Sequence, residues 1–186
     1  MRRALAVLCI ALLAATPAAA ARWTVDPARS RLGFTVQWSG EAFDATFKSW
    51  SAAIDFDPAD LAAAHAKVTV ALDSEASGAA DNDDGLKGAE GFSVTRFPTA
   101  TFETTGFKAT GGNGYIATGR LNLHGVTKVI ALPFTLTVAG DTAHMTGKAV
   151  VSRLDFGLGA SGEWAGETPI GHAVTITVDL TATKAL

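Results

Sequence analysis

An all-β fold, an antiparallel barrel or sandwich of about eight strands with one or two short helices, is what this sequence predicts on three observations. Apolar and polar residues alternate with a period of two over most of the chain beyond residue 22, the signature of strands with one buried face. Only two short segments break into helix-compatible patterns. Turn signals such as TGGNG at 110–114 and AGD at 139–141 separate the alternating runs.

The elements follow in chain order. MRRALAVLCIALLAATPAAA places Arg2 and Arg3 before a short apolar run and a small-residue segment. That is the pattern of a secretory signal peptide over residues 1–21, cleaved after Ala20 or Ala21, and the run is too short for a membrane span. A single domain over residues 22–186 is expected to follow, because about 165 residues make one core and few make two. RLGFTVQW at 31–38 puts Leu32, Phe34, Val36 and Trp38 on one face. A weaker alternating run spans 43–56. In FDPADLAAAHAK, Asp57 as a cap and Pro58 at the first helical position predict a short helix over 58–65. KVTVAL at 67–72 is the next strand. Asp81 to Asp84 are candidate caps for an irregular second helix that Gly85 and Gly88 weaken, lying across one end of the sheet. Runs at 99–107 and 115–123 precede the turn His124-Gly125, where Gly accepts positive φ and His tolerates it better than most residues. IALPFTLTV at 130–138, MTGKAVV at 145–151 and AVTITVDL at 173–180 complete the strands. Pro133 lacks an amide donor, which predicts an edge strand or a bulge at that point.

Composition excludes several classes of function. The one cysteine, Cys9, falls in the predicted signal, which leaves no disulfide framework and no thiolate for zinc or catalysis. The chain carries 15 basic and 18 acidic residues; loss of Arg2 and Arg3 makes the balance more acidic and argues against nucleic acid as a partner. GLGASG at 157–162 matches the dinucleotide fingerprint in letters, but too little chain follows for a βαβ unit. DNDDG at 81–85 lacks the ligands of a calcium loop at its ends. The four histidines, His65, His124, His144 and His172, are scattered, with no spacing that puts two on one metal, and there is no nucleophile elbow. Neither a metal nor a cofactor is predicted, and no catalytic residue. The apolar faces are the outstanding feature. Phe34, Trp38, Phe47, Phe102, Leu121, Leu132, Phe134, Met145 and Phe156 are core residues that would line a cavity if the interior of a closed sheet is not filled by side chains. Lys128 shares parity with Ile130, which puts it on the inward side near the turn, a candidate to meet an anionic head group.

Several segments in order, WTVDPARSRLGFTV, FDPADL, FPTATF, GRLNLHGVTKVIALPFTL, RLDFGLG and IGHAVTITVDL, resemble the YceI-like family of periplasmic polyisoprenoid-binding proteins over nearly the whole of residues 22–186. The resemblance implies an eight-stranded, lipocalin-like antiparallel β-barrel whose interior holds an isoprenoid chain. GEWAGETPIG at 162–171 is similar to the branch found alone in the periplasm or fused to b-type cytochrome membrane domains, which adds a quinone to the expected ligands. Asn82, Gly91 and Ser93 depart from the residues common in that loop. The expected function is therefore that of a periplasmic, non-enzymatic protein enclosing a polyprenyl phosphate or a quinone tail. An accessory protein docking on a membrane cytochrome without a ligand predicts a side-chain-filled barrel instead, and a hydrolase predicts histidines and an acid converging at the rim. Whether two copies associate is left open by the sequence.

Overall fold

A computed structural model describes residues 20–185; the predicted signal peptide lies almost wholly outside them. The strands are β1 (Arg22–Val25), β2 (Arg31–Trp38), β3 (Glu41–Phe47), β4 (Trp50–Asp55), β5 (His65–Ala71), β6 (Glu75–Ala76), β7 (Thr99–Gly111), β8 (Gly114–Leu123), β9 (Val126–Ala139), β10 (Thr142–Ser152) and β11 (Ile170–Lys184), with one helix, α1 (Ala80–Lys87).

Register reduces these segments to eight antiparallel strands in a closed barrel. β1 and β2 both pair with β11, Trp23 opposite Lys184 and Trp38 opposite Ile170, so they are two halves of one strand. A 3-10 turn at Pro27–Arg29 separates the halves; Asp26 caps it by accepting from the Ala28 amide at 3.0 Å. β3 and β4 pair in the same way with β2 and β1, and β6 and β5 with β3 and β4. The remaining strands run β5-β7-β8-β9-β10-β11, and the β1–β11 ladder closes the circle. Closure gives each of the eight strands a neighbour on both sides over at least part of its length. The three broken strands are neighbours, so the bends lie side by side and form a corner.

The terminus end of the barrel carries Arg22, Lys184, the 56–64 loop and the turns after β7 and β9. The helix end carries α1, the Ser39-Gly40 turn, the His124-Gly125 turn and the loop from Arg153 to Pro169. His124 and Gly125 both take positive φ, 54° and 77°, the two-residue hairpin reversal that the sequence predicts.

Two local expectations are corrected. The helix over 58–65 does not form: residues 58–63 make turns, and His65 already begins β5. Asp57 does cap a turn, accepting from the Ala59 amide at 2.9 Å. But Asp55 pairs with His65, so the chain must come back beside itself within nine residues, and an eight-residue helix would carry it about 12 Å along one axis. The second helix exists, yet Asp81 to Asp84 do not cap it from outside. Its N-cap is Ala79, without a side-chain bond, and the aspartates lie within the helix. Asp83 reaches back instead and accepts from the Ser77 amide at 2.8 Å.

Candidate functional site

Alternation along every strand sends one side-chain row into the barrel, and these rows leave a cavity of about 270 Å³. Its wall includes Trp23, Phe56, Phe134 and Leu180 from the apolar cluster at the terminus end, and Leu86, Phe92, Leu158 and Ile170 from the cluster at the helix end. The cavity therefore runs along the barrel and joins both clusters. Of its lining side chains only Glu90, Thr101, Thr104, Arg153 and the tryptophans carry polar atoms. Thr104 spends its hydroxyl on the Ala66 backbone, accepting from the amide at 2.8 Å. The wall offers apolar contact and almost no hydrogen bonding.

Phe34, Phe47, Phe102, Leu121, Leu132, Phe134, Met145 and Phe156 line this cavity. Trp38 does not, which corrects its placement. It has the inward parity of β2 but lies at the strand's end, where its ring packs on Phe43 and Trp164 at centroid distances of 5.2 and 5.8 Å. Parity sets a side chain's face; only the rim height decides whether it reaches the cavity.

Each end has a cover. At the terminus end buried Phe56 packs edge-on against Phe107, Tyr115 and Phe134, and the Trp23 indole donates to the Phe56 carbonyl at 2.9 Å. At the helix end the cover is double. One part is α1 with the following loop, which inserts Leu86 and Phe92. The other is the Arg153–Pro169 loop, which inserts Phe156 and Leu158.

Arg153 holds that second part, and chemistry-first reading of the sequence missed it although it opens the RLDFGLG segment. Only 5% exposed, its guanidinium donates to the carbonyls of Gly171, Leu158, Gly159, Trp164, Gly166 and Ile170. Burial lowers its proton affinity, opposed by Glu167. Six carbonyl dipoles surround the cation, four from the loop and two from the start of β11, and they engage all its donors. Arg153 thus organises the cover rather than waiting for an anion. Within this loop Gly157, Gly159 and Gly162 take positive φ, so the GLGASG letters serve loop geometry and not a phosphate cradle.

The wall has a seam. β9 and β10 pair only from Thr142–Ala139 to Gly147–Phe134, although β9 continues to Val126 and β10 to Ser152. Pro133 stands where the ladder stops. The Leu136 amide donates to Asn113 on the β8 side at 2.9 Å, so by alternation the nitrogen of residue 133 faces β10, and Pro has no proton to give. The strands are tied again beyond their ends by a 3.2 Å contact between His124 Nδ1 and the Phe156 carbonyl oxygen. Lys128 sits on this stretch, in register with Leu121 of β8 but without a β10 partner. Val126 and Ile130, which share its parity, pack against the core, yet Lys128 is exposed and lies outside the cavity wall. Val129 and Val150, on the outer faces flanking the seam, are 67% and 69% exposed.

The other histidines lie apart. His65 is 3.3 Å from Glu103, His144 2.8 Å from Asp179 and His172 2.7 Å from Glu167. Among the described residues no three His, Cys, Asp or Glu side chains cluster to hold a metal, and no helix is long and apolar enough to cross a membrane.

Comparisons with known proteins agree with this geometry. The family model of the YceI-like domain matches residues 23–182. A UPF0312 protein of Azotobacter vinelandii is 34% identical over 137 residues, covering 71% of each chain. One from Pseudomonas savastanoi is 30% identical over 173 residues, covering 87% of this chain and 90% of its own. Among solved structures, BcnA of Burkholderia cenocepacia superposes with a TM-score of 0.83 at 29% identity, over 86% of this chain and 100% of its own. A polyisoprenoid-binding domain of Saccharophagus degradans, implicated in plant cell wall breakdown, superposes with a TM-score of 0.70 at 17% identity, over 89% and 99%, a likeness of fold.

Proposed function

The chain belongs to the YceI-like family, and on that premise we propose that it is a periplasmic binding protein that encloses an isoprenoid lipid, a polyprenyl phosphate or a quinone tail, in its barrel. The observation that carries this reading is the continuous apolar cavity joining both core clusters. A side-chain-filled barrel, which a ligand-free accessory protein would have, is a poorer match to it. The polyisoprenoid-binding neighbour supports the same ligand class.

Apolar transfer supplies the affinity. Fifteen isoprenoid carbons at about 0.8 kcal/mol each gain ~12 kcal/mol, from which association and chain ordering subtract several. The remainder is on the order of the ~8 kcal/mol of micromolar binding. The cavity is close to the lower end, roughly 300 Å³, of small-molecule sites, so a long chain needs a cover or wall segment to yield. No reacting group is required, and the dispersed histidines suit a binder better than a hydrolase.

For the head group, Lys128 is the proposed contact: an exposed cation on the β9 stretch that lacks a β10 partner, beside the wall residue Ile130. Export by the N-terminal segment would place the protein in the periplasm. Organic extraction of the protein purified from its native periplasm, followed by mass spectrometry, should yield an isoprenoid in stoichiometric amount. Repeated recovery of empty protein that also refuses added polyprenyl lipids would defeat the proposal. Lys128→Ala should weaken a polyprenyl phosphate more than the corresponding alcohol; equal affinities before and after would remove Lys128 from the site.

A further inference from the structure

Glu75 is the least expected group in the molecule. It is 2% exposed, and neither carboxyl oxygen accepts a hydrogen bond. It lies on the two-residue strand β6 opposite Phe47, whose side chain lines the cavity, so it faces inward beneath α1. From α1 it faces Asp83 and Lys87. Lys48, next along from Phe47 on the β3 side, and Asp73 on its own segment are exposed. A carboxylate buried without a donor and beside a second carboxylate is costly. A protonated Glu75 is not: it carries no charge and can donate to Asp83, which Ser77 already holds through its amide and hydroxyl.

The element above Glu75 has little else to hold it. α1 is eight residues long, includes Gly85, sets Asp81, Asp83 and Asp84 against Lys87, and buries only Leu86. A helix this short does not persist on its own. Its neighbour β6 contributes two ladder pairs. Leu86 and Phe92 are the apolar side chains by which this segment covers the cavity, and Glu90, which also lines it, meets the opposite cover at Gly162, where a Cβ would lie 2.3 Å from Glu90 Oε1.

We propose that α1 is a proton-latched lid: protonated Glu75 lets it close over the helix end of the cavity, and loss of that proton releases it. The latch stands on buried Glu75 and the half-buried Asp83 beside it alone, whereas its use as a gate rests on the barrel being the binding site. Burial first, and then the Asp83 charge, push the Glu75 carboxyl up to about 7, against the Lys87 charge. Opened to water, the group returns toward its ordinary value, and the difference makes opening depend on pH.

Hydrogen exchange corrected for intrinsic rates tests the latch. Protection of the Gly88 amide and the last turn of α1 should fall about tenfold per pH unit from roughly pH 5 to pH 7 and level off above, while the barrel ladders keep theirs. In Glu75→Gln it should be independent of pH. Protection that ignores pH in the unmodified protein, or an equal slope in Glu75→Gln, overturns the proposal. Asp83→Asn keeps an acceptor for Ser77 and removes the repelling charge, so the fall should end at lower pH; an unchanged end-point removes the pair from the device. Release of nitrobenzoxadiazole-labelled farnesol should accelerate over the same pH range. A release rate indifferent to pH while α1 protection follows it overturns α1 as the gate. Failure of this probe to bind counts against the cavity as the site, and the exchange measurement still decides the latch.

Discussion

At the scale of single residues, two buried ionisable groups do opposite work. Arg153 is a charge satisfied by six carbonyls, and its removal strands those that water cannot reach. At about 1–3 kcal/mol for each buried unsatisfied group, Arg153→Met should lower stability by about 3 kcal/mol or more, measured by urea unfolding followed by tryptophan fluorescence. Arg153→Lys should recover only part of the loss, because one ammonium cannot fan out to carbonyls arranged around a planar guanidinium. Glu75 is the unsatisfied counterpart. Its folded-state value is raised from 4.5 to about 7, so folded and unfolded chains bind the proton equally below about pH 4.5, and the folded state loses stability as pH rises from there through about 7. The loss approaches about 1.4 kcal/mol per pH unit within that window. Glu75→Gln should therefore match the unmodified protein near pH 4 and exceed it in stability at pH 8. Equal stabilities at pH 8 would mean that the carboxyl is not as buried as the structure has it.

At the scale of elements, the β9–β10 ladder stops at Pro133, which has no proton to give it. Pro133→Val supplies a donor facing β10, where the Lys148 carbonyl lies next in register. It should add a slowly exchanging amide at residue 133 and stabilise the barrel by about 0.5–1.5 kcal/mol, read by hydrogen exchange and urea unfolding. The seam itself was half legible in the sequence. A proline inside an alternating run announces an interrupted ladder, but which neighbour loses its bond depends on the alternation set at the Asn113–Leu136 contact. The failed helix at 58–65 is the converse. Asp57 and Pro58 are sound start signals and do make a turn, and the Asp55–His65 pairing overrides them because ladder bonds and burial outweigh a weak local preference. β1 escaped the period-two reading for a related reason: four residues are too few to show a period, and its pairing with β11 and β4 is wholly long-range.

At the scale of the molecule, alternation predicted strands with one apolar face and the residues on that face, and turn residues such as those of TGGNG marked the reversals between them. The reason is local: side-chain direction in a strand repeats every two residues whatever the partner. Phe34, Leu121, Leu132 and Phe134 could be assigned to the interior on that ground, and the resemblance to a barrel family pointed to a closed sheet. Only the tertiary structure decided that the interior keeps a cavity, that Trp38 stops above it, that Arg153 gathers a loop of carbonyls and that Glu75 lies dry under a short helix. Each of these depends on which segments meet across tens of residues of chain. Burial, and with it the energy of a charge or the space left between side chains, belongs to that meeting and not to any residue's own neighbours in sequence.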